Sequence, residues 1–163
     1  MRKCWIMMLL MMFALWGCES RETMETVTDT LLQPAMAEPR QISVQLPEEA
    51  VAPVLSGTSG QVYLCDGYEI LVETREGGDL PGTVRDVSGF EQEKLTVLQT
   101  RQEGADRYEF VWAAAGEAGD RLGRAVVLDD GNYHYCLSVL RDASLTERSQ
   151  ILWDEVFRSF GLV

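Results

Sequence analysis

Histidine occurs once in the 163 residues, at His134, and lysine twice, at Lys3 and Lys94. A lone histidine removes the common histidine-based zinc sites, which need several nitrogen or sulfur ligands. Cys65 and Cys136 could join it, but the three lack the close spacing of a metal motif. His134 alternates with Tyr133 and Tyr135, so it shares a strand face with Cys136, and the expectation is a strand histidine with a local hydrogen bond. Positive charge is scarce: 14 Lys and Arg stand against 26 Asp and Glu, for a formal net charge of −12. Such a surface repels phosphate backbones and anionic lipid heads, so nucleic acid is not an expected partner. Gly77 to Gly82 with Thr83 has the outline of a phosphate loop, but Pro81 stands close by and no lysine precedes Thr83. Gly57-Thr58-Ser59-Gly60 is not a nucleophile elbow, because Gln61 stands where the second glycine belongs. Asp129-Asp130-Gly131-Asn132 lacks the spaced acids and terminal glutamate of a calcium loop and reads as a solvated turn. With so many carboxylates some pair will fall about 5–9 Å apart, the spacing of glycoside hydrolysis, and the sequence selects none. Internal repeats are absent. The expectation is no metal, no cofactor and no catalytic residue.

What is present begins with Met1 to Cys18, MRKCWIMMLLMMFALWGC. Arg2 and Lys3 make a cationic start, and Trp5 to Leu15 is an uncharged apolar run. That run is too short to span a bilayer as a helix and fits the core of an export signal. Leu15-Trp16-Gly17-Cys18 resembles the bacterial lipobox, in which the signal is cut before a cysteine that carries a lipid. Trp16 is bulky for a place usually taken by a small residue. The resemblance implies a signal peptide over 1–17 and lipidation of Cys18. The other reading is an ordinary secretory signal, or an uncleaved anchor, with Cys18 incidental. Losing Arg2 and Lys3 with the signal takes the formal charge from −12 to −14. Membrane contact is then expected through the lipid rather than a basic face.

Glu19 to Arg40 is polar, acidic and short of aromatics, with Pro34 and Pro39 late in it. It reads as a flexible tether with a root-mean-square span of roughly 25 Å. A short helix over Met24 to Leu32 is the weaker alternative. The cysteines left after Cys4 and Cys18 are Cys65 and Cys136. In an exported chain such a pair reads as a disulfide, which the chain-entropy model values at roughly 4 kcal/mol for a loop of this length. Two buried thiols in a sheet core are the other reading.

The folded part is expected over 41–163 as one α+β domain. Ile42, Val44 and Leu46 alternate with polar residues as in a half-buried strand, ended by Pro47. Glu48 to Leu55 fits either a helical turn or a short strand. Gln61–Cys65 and Tyr68–Thr74 flank Asp66-Gly67, a hairpin turn pair. Asp79-Leu80-Pro81 predicts a helix capped by Asp79, running to about Ser88 and ending at Gly89. Four strands follow in an antiparallel meander: Leu95–Thr100, Tyr108–Ala115, Leu122–Leu128 and Tyr133–Leu140. Ser144-Leu145-Thr146-Glu147 is a capping box. Leu145, Leu152, Val156 and Phe160, widened by Trp153 and Phe157, form an apolar helical stripe that needs a sheet face to cover. The expected architecture is a twisted antiparallel sheet with the C-terminal helix on one face and the shorter helix on the other side or at an end.

That element order resembles the PsbP/Mog-like domains. Asp130-Gly131-Asn132-Tyr133-His134-Tyr135-Cys136 followed by Trp153-Asp154-Glu155-Val156-Phe157-Arg158-Ser159-Phe160 is similar to their end, where a tyrosine-bearing strand leads into a helix finishing in aromatic-Ser-Phe. Ser43-Val44-Gln45-Leu46-Pro47 is similar to their opening strand. The resemblance covers about Gln41 to Val163. It implies a non-catalytic docking or assembly protein, and carries over no functional residue.

Together these features lead to an expectation of function. The chain should be a lipid-anchored module outside the bacterial cytoplasmic membrane, binding an unknown protein or envelope component. The alternative is a small envelope hydrolase using paired carboxylates, and a weaker idea is a redox sensor built on Cys65 and Cys136. Most of the strand aromatics are expected to be core under the helices; if one sheet face is left uncovered, Tyr63, Tyr108, Trp112, Tyr133 and Tyr135 are the candidate binding residues, as an aromatic strip.

Overall fold

The computed structural model describes residues 37–163 except 49, 51, 66, 116–118 and 144–147, and for 148–152 the backbone. The expected signal, Cys18, nearly all of the tether and the capping box lie outside the described residues.

Asp79 caps the first helix as its sequence position requires: its carboxylate accepts the Gly82 amide at 2.9 Å. Helix α1 spans Leu80–Ser88, and Gly89 ends it in the left-handed conformation at φ 79°, where glycine carries no Cβ penalty. Before it stand β1 (Ile42–Ser43), β2 (Leu55–Ser56), β3 (Gly60–Cys65) and β4 (Tyr68–Glu76). After it come a 3-10 turn at Gln92–Lys94, then β5 (Leu98–Gln102), β6 (Ala105–Ala114), β7 (Arg121–Asp129) and β8 (Tyr133–Asp142). Helix α2 (Arg148–Ser159) and β9 (Gly161–Leu162) close the chain.

Seven strands form one antiparallel sheet in the order β2-β3-β4-β8-β7-β6-β5. The β4–β8 pairing joins the first hairpin to the later meander, with Glu73 opposite Cys136 and Arg75 opposite His134. The two helices cover opposite faces. Val156 and Phe157 of α2, with Phe160 just after it, pack with Tyr68, Ile70, Val126, Leu128, Tyr135, Leu137 and Val139. Val84 of α1 packs with Phe110, Ala125, Val127 and Cys136. The expected helical stripe is therefore buried at Val156, Phe157 and Phe160, with Trp153 half-buried. Asp154, Glu155 and Arg158 stay exposed. Among the described residues no helix is long and apolar enough to cross a membrane.

Two expectations change. The strand expected from Leu95 begins only at Leu98, because Leu95 and Val97 pack beside α1 instead of entering the ladder. The strand expected over Ile42, Val44 and Leu46 is only Ile42–Ser43, and it lies outside the main sheet. Ile42 and Ser43 pair with Leu162 and Gly161 in a separate two-stranded ladder, continued by the Val163 amide on the Gln41 carbonyl at 2.9 Å. Arg40 fixes this corner: its amide donates to the Tyr135 hydroxyl at 2.8 Å and its guanidinium reaches the Glu103 and Leu162 carbonyls at 3.4 Å each.

The Asp129–Asn132 turn is more than a solvated link. Asp130 accepts the Asn132 and Tyr133 amides at 2.9 Å each and the Tyr135 hydroxyl at 2.8 Å. Burial alone would raise its pKa, but these donors outweigh it and hold the carboxyl below the ordinary value of 3.8. A folded-state pKa below the unfolded one contributes stability that is present above the ordinary value and lost as pH falls through the folded value. Asp130→Asn should therefore lower stability at pH 7, and its deficit should shrink below about pH 4. Urea unfolding across pH 2–7 measures this.

Candidate functional site

The five aromatic candidates do not form one strip. Side chains alternate between sheet faces along each strand, so register assigns them. Tyr63 lies opposite Ile70 and Tyr135 opposite Leu128, which places both, with Tyr133, on the α2 face. Tyr108 opposes Val127 and Trp112 opposes Gly123, on the α1 face. Tyr135 is fully buried and the others are partly covered. The indole of Trp112 lies over Gly123, where a Cβ would overlap it. Tyr63 borders an open groove, of about 420 Å³, shared with Ile42, Val44, Leu46 and Val72.

The disulfide expectation is corrected by the same register. Cys65 opposes Tyr68 and Cys136 opposes Glu73. Tyr68 and Glu73 are an odd number of residues apart in β4, so the two sulfurs lie on opposite faces. A bridge needs Cα atoms within about 7 Å and converging Cβ vectors, and no bond joins this pair. The redox-sensor idea goes with it. Burial, reinforced by Glu73 and opposed by Arg75, pushes the Cys136 thiol up to about 12. Only thiolate is nucleophilic, so Cys136 should resist iodoacetamide at pH 8 in the folded chain and react once urea unfolds it, as read by mass spectrometry.

His134 has a distant partner rather than a local one. It is completely buried, and its Nδ1 lies 2.7 Å from the Thr83 hydroxyl of α1. Nε2 lies 3.5 Å from an Asp129 carboxylate oxygen and makes no hydrogen bond. The tautomer protonated at Nε2 fits both neighbours: Thr83 donates to Nδ1, and Nε2–H faces Asp129. A hydroxyl, an imidazole and a carboxylate in sequence have the outline of a nucleophilic triad. Thr83, however, is only 6% exposed, and the Gly82 amide beside it is already given to Asp79. The arrangement pins α1 to β8. Thr83→Val should cost about 1–3 kcal/mol by orphaning buried Nδ1, and Thr83→Ser should restore most of it. Chemical denaturation of the two variants decides.

Beside this latch, a cleft of about 520 Å³ opens between β4 and α1. Glu73, Glu76, Asp79, Asp86, Arg75 and Arg85 line it. Arg75 holds Glu73 at 2.8 Å and Asp86 at 2.7 Å. Among the described residues no group of three or more His, Cys, Asp or Glu side chains is placed to hold a metal ion.

Along the far side of that cleft no helix among the described residues covers the α1 face of the sheet. Leu55 opposes Val62 and Val62 opposes Leu71. Leu64 continues the row on the same face, two residues beyond Val62. None of the four belongs to either core. Leu55 is 68% and Leu64 55% exposed, with Val62 and Leu71 intermediate. Sequence reading missed this strip because alternation marks a face as apolar without saying whether a helix reaches it. The signal that could have found it is the nine-residue length of α1, too short to roof all seven strands.

No protein-family model and no curated protein matches the chain. A solved structure from Bacteroides thetaiotaomicron VPI-5482 is similar in fold, with a TM-score of 0.51 at 8% identity. The match covers 75% of this chain and 45% of the other, so this chain spans less than half the length of that neighbour. At that identity the likeness concerns the α+β fold, a large antiparallel sheet with two helices.

Proposed function

We propose that this chain is a binding or assembly module of PsbP/Mog-like kind, held outside the cytoplasmic membrane by a lipid on Cys18, and that it docks a protein through the strip Leu55, Val62, Leu64 and Leu71. The observation that carries the reading is the strip itself. Contiguous apolar side chains left in water next to two closed cores mark a contact surface. The short edge strand β2 leaves that end of the sheet accessible. The export signal and lipobox-like sequence support the location, and the acidic composition argues against nucleic acid. No reaction is assigned to it.

The test is a photo-crosslinking residue placed at Leu64 in the full chain, in its native membrane, with the same residue at Val111 as control. Val111 is 62% exposed on the other face. A protein adduct at Leu64 and not at Val111 is expected. Equal labelling at both, or none at Leu64, contradicts the proposal. Turnover of an envelope polymer by the purified chain would favour the carboxylate hydrolase instead.

A further inference from the structure

We infer that the partner's docking segment presents apolar side chains flanked by lysine or arginine. This rests on the docking reading above and adds the chemistry of the occupant. The Gly60–Glu73 pair lies one row from Val62–Leu71 on the same face, so the strip runs directly into the cleft beneath α1, which Glu73 also lines. Four carboxylates face that cleft against two guanidiniums. Arg75 is already taken by Glu73 and Asp86, and Arg85 pairs with Glu91 at 3.8 Å. Glu76 and Asp79 have no ion pair among the described residues, and Asp79 gives one oxygen to the Gly82 amide. A segment lying on the leucines therefore meets an acidic margin along one side, on a chain whose net charge is already −12. Basic flanks satisfy that margin. Acidic flanks meet like charge, which suppresses the wrong partner more strongly than it rewards the right one.

Three short fluorescent peptides test this against the purified full chain by anisotropy: alternating leucine and lysine, alternating leucine and glutamate, and alternating serine and lysine. The Leu/Lys peptide should bind at least about tenfold more tightly than either of the others. Leu55→Ser with Leu64→Ser should weaken it about tenfold. Glu76→Gln, or added salt, should weaken it about threefold. Equal affinity for the Leu/Glu peptide overturns the basic partner, as does no Leu/Lys binding at about 1 mM, the weak end of specific affinity. Equal affinity for the Ser/Lys peptide, or indifference to the leucine substitutions, also overturns it, since charge alone would then explain binding. A Leu64 crosslink that survives these failures leaves the docking reading standing and removes only the partner's chemistry; loss of both removes both.

Discussion

Phe157→Ala should lower the unfolding free energy by about 3–5 kcal/mol. Phe157 is 1% exposed at the centre of the α2 contact. Its ring lies 5.6 Å from that of Trp153, tilted by 49°. The Arg124 guanidinium sits over the ring, 4.5 Å from its centroid. Truncation removes a large buried surface and leaves a cavity walled by β-strand residues that cannot close over it. It also strips Arg124 of its aromatic neighbour, while the ion pairs of Arg124 to Asp154 at 2.6 Å and Glu109 at 3.3 Å remain. Urea unfolding followed by tryptophan fluorescence reads the loss, with Trp153 next to the site. Val111→Ala, at an exposed position on the same face, should change stability by no more than about 0.5 kcal/mol. A Phe157→Ala loss as small as that would mean that α2 does not seal the sheet.

Arg107→Met should cost about 2–4 kcal/mol. Arg107 is buried, at 8% exposure, and its guanidinium joins three elements. Nε pairs with Glu109 at 2.7 Å, Nη1 donates to the Gln102 side chain at 2.7 Å, and Nη2 donates to the Phe157 carbonyl at 3.1 Å. The last contact places positive charge at the C-terminal end of α2, where the helix dipole favours it. Gln102 adds a bond to the Phe160 carbonyl at 3.1 Å, and Glu103 accepts the Leu162 amide at 3.1 Å. The β5–β6 turn thus clamps the end of α2 and β9. Methionine keeps the packed stem and deletes every donor. Arg107→Lys should fall between, because an ammonium cannot hold the same planar fork. Besides the stability change, hydrogen exchange at Leu162 should quicken in Arg107→Met. Wild-type exchange there, with stability unchanged, would contradict the clamp.

Local rules placed the elements whose signals are local. Asp79, Pro81 and Gly89 mark both ends of α1 to the residue, since cap geometry needs only neighbours. The aromatic stripe from Trp153 to Phe160 foretold a buried face because helical period and burial coincide. What failed depended on tertiary partners. Cys65 and Cys136 looked like a pair, but only the β3–β4–β8 register reveals that they face apart. Whether the five aromatics share a sheet face also depended on partners, because only the register divides them between the two sides. His134 found Thr83, which lies 51 residues away in sequence and bears no motif linking the two. Gly161 and Leu162 pair with Ser43 and Ile42, and so short a tail carries no period to announce that pairing. The exposed strip was invisible for a related reason: the alternation of Val62 and Leu64 is the same whether a helix covers them or not.

The measurement that bears most directly on the central claim is the unfolding free energy of the full chain carrying Leu55→Ser and Leu64→Ser together. If these leucines face water and serve a partner, stability should stay within about 0.5 kcal/mol of the parent, as for exposed positions generally. A loss above about 2 kcal/mol would make them part of the core and contradict the assignment of this face as a docking surface.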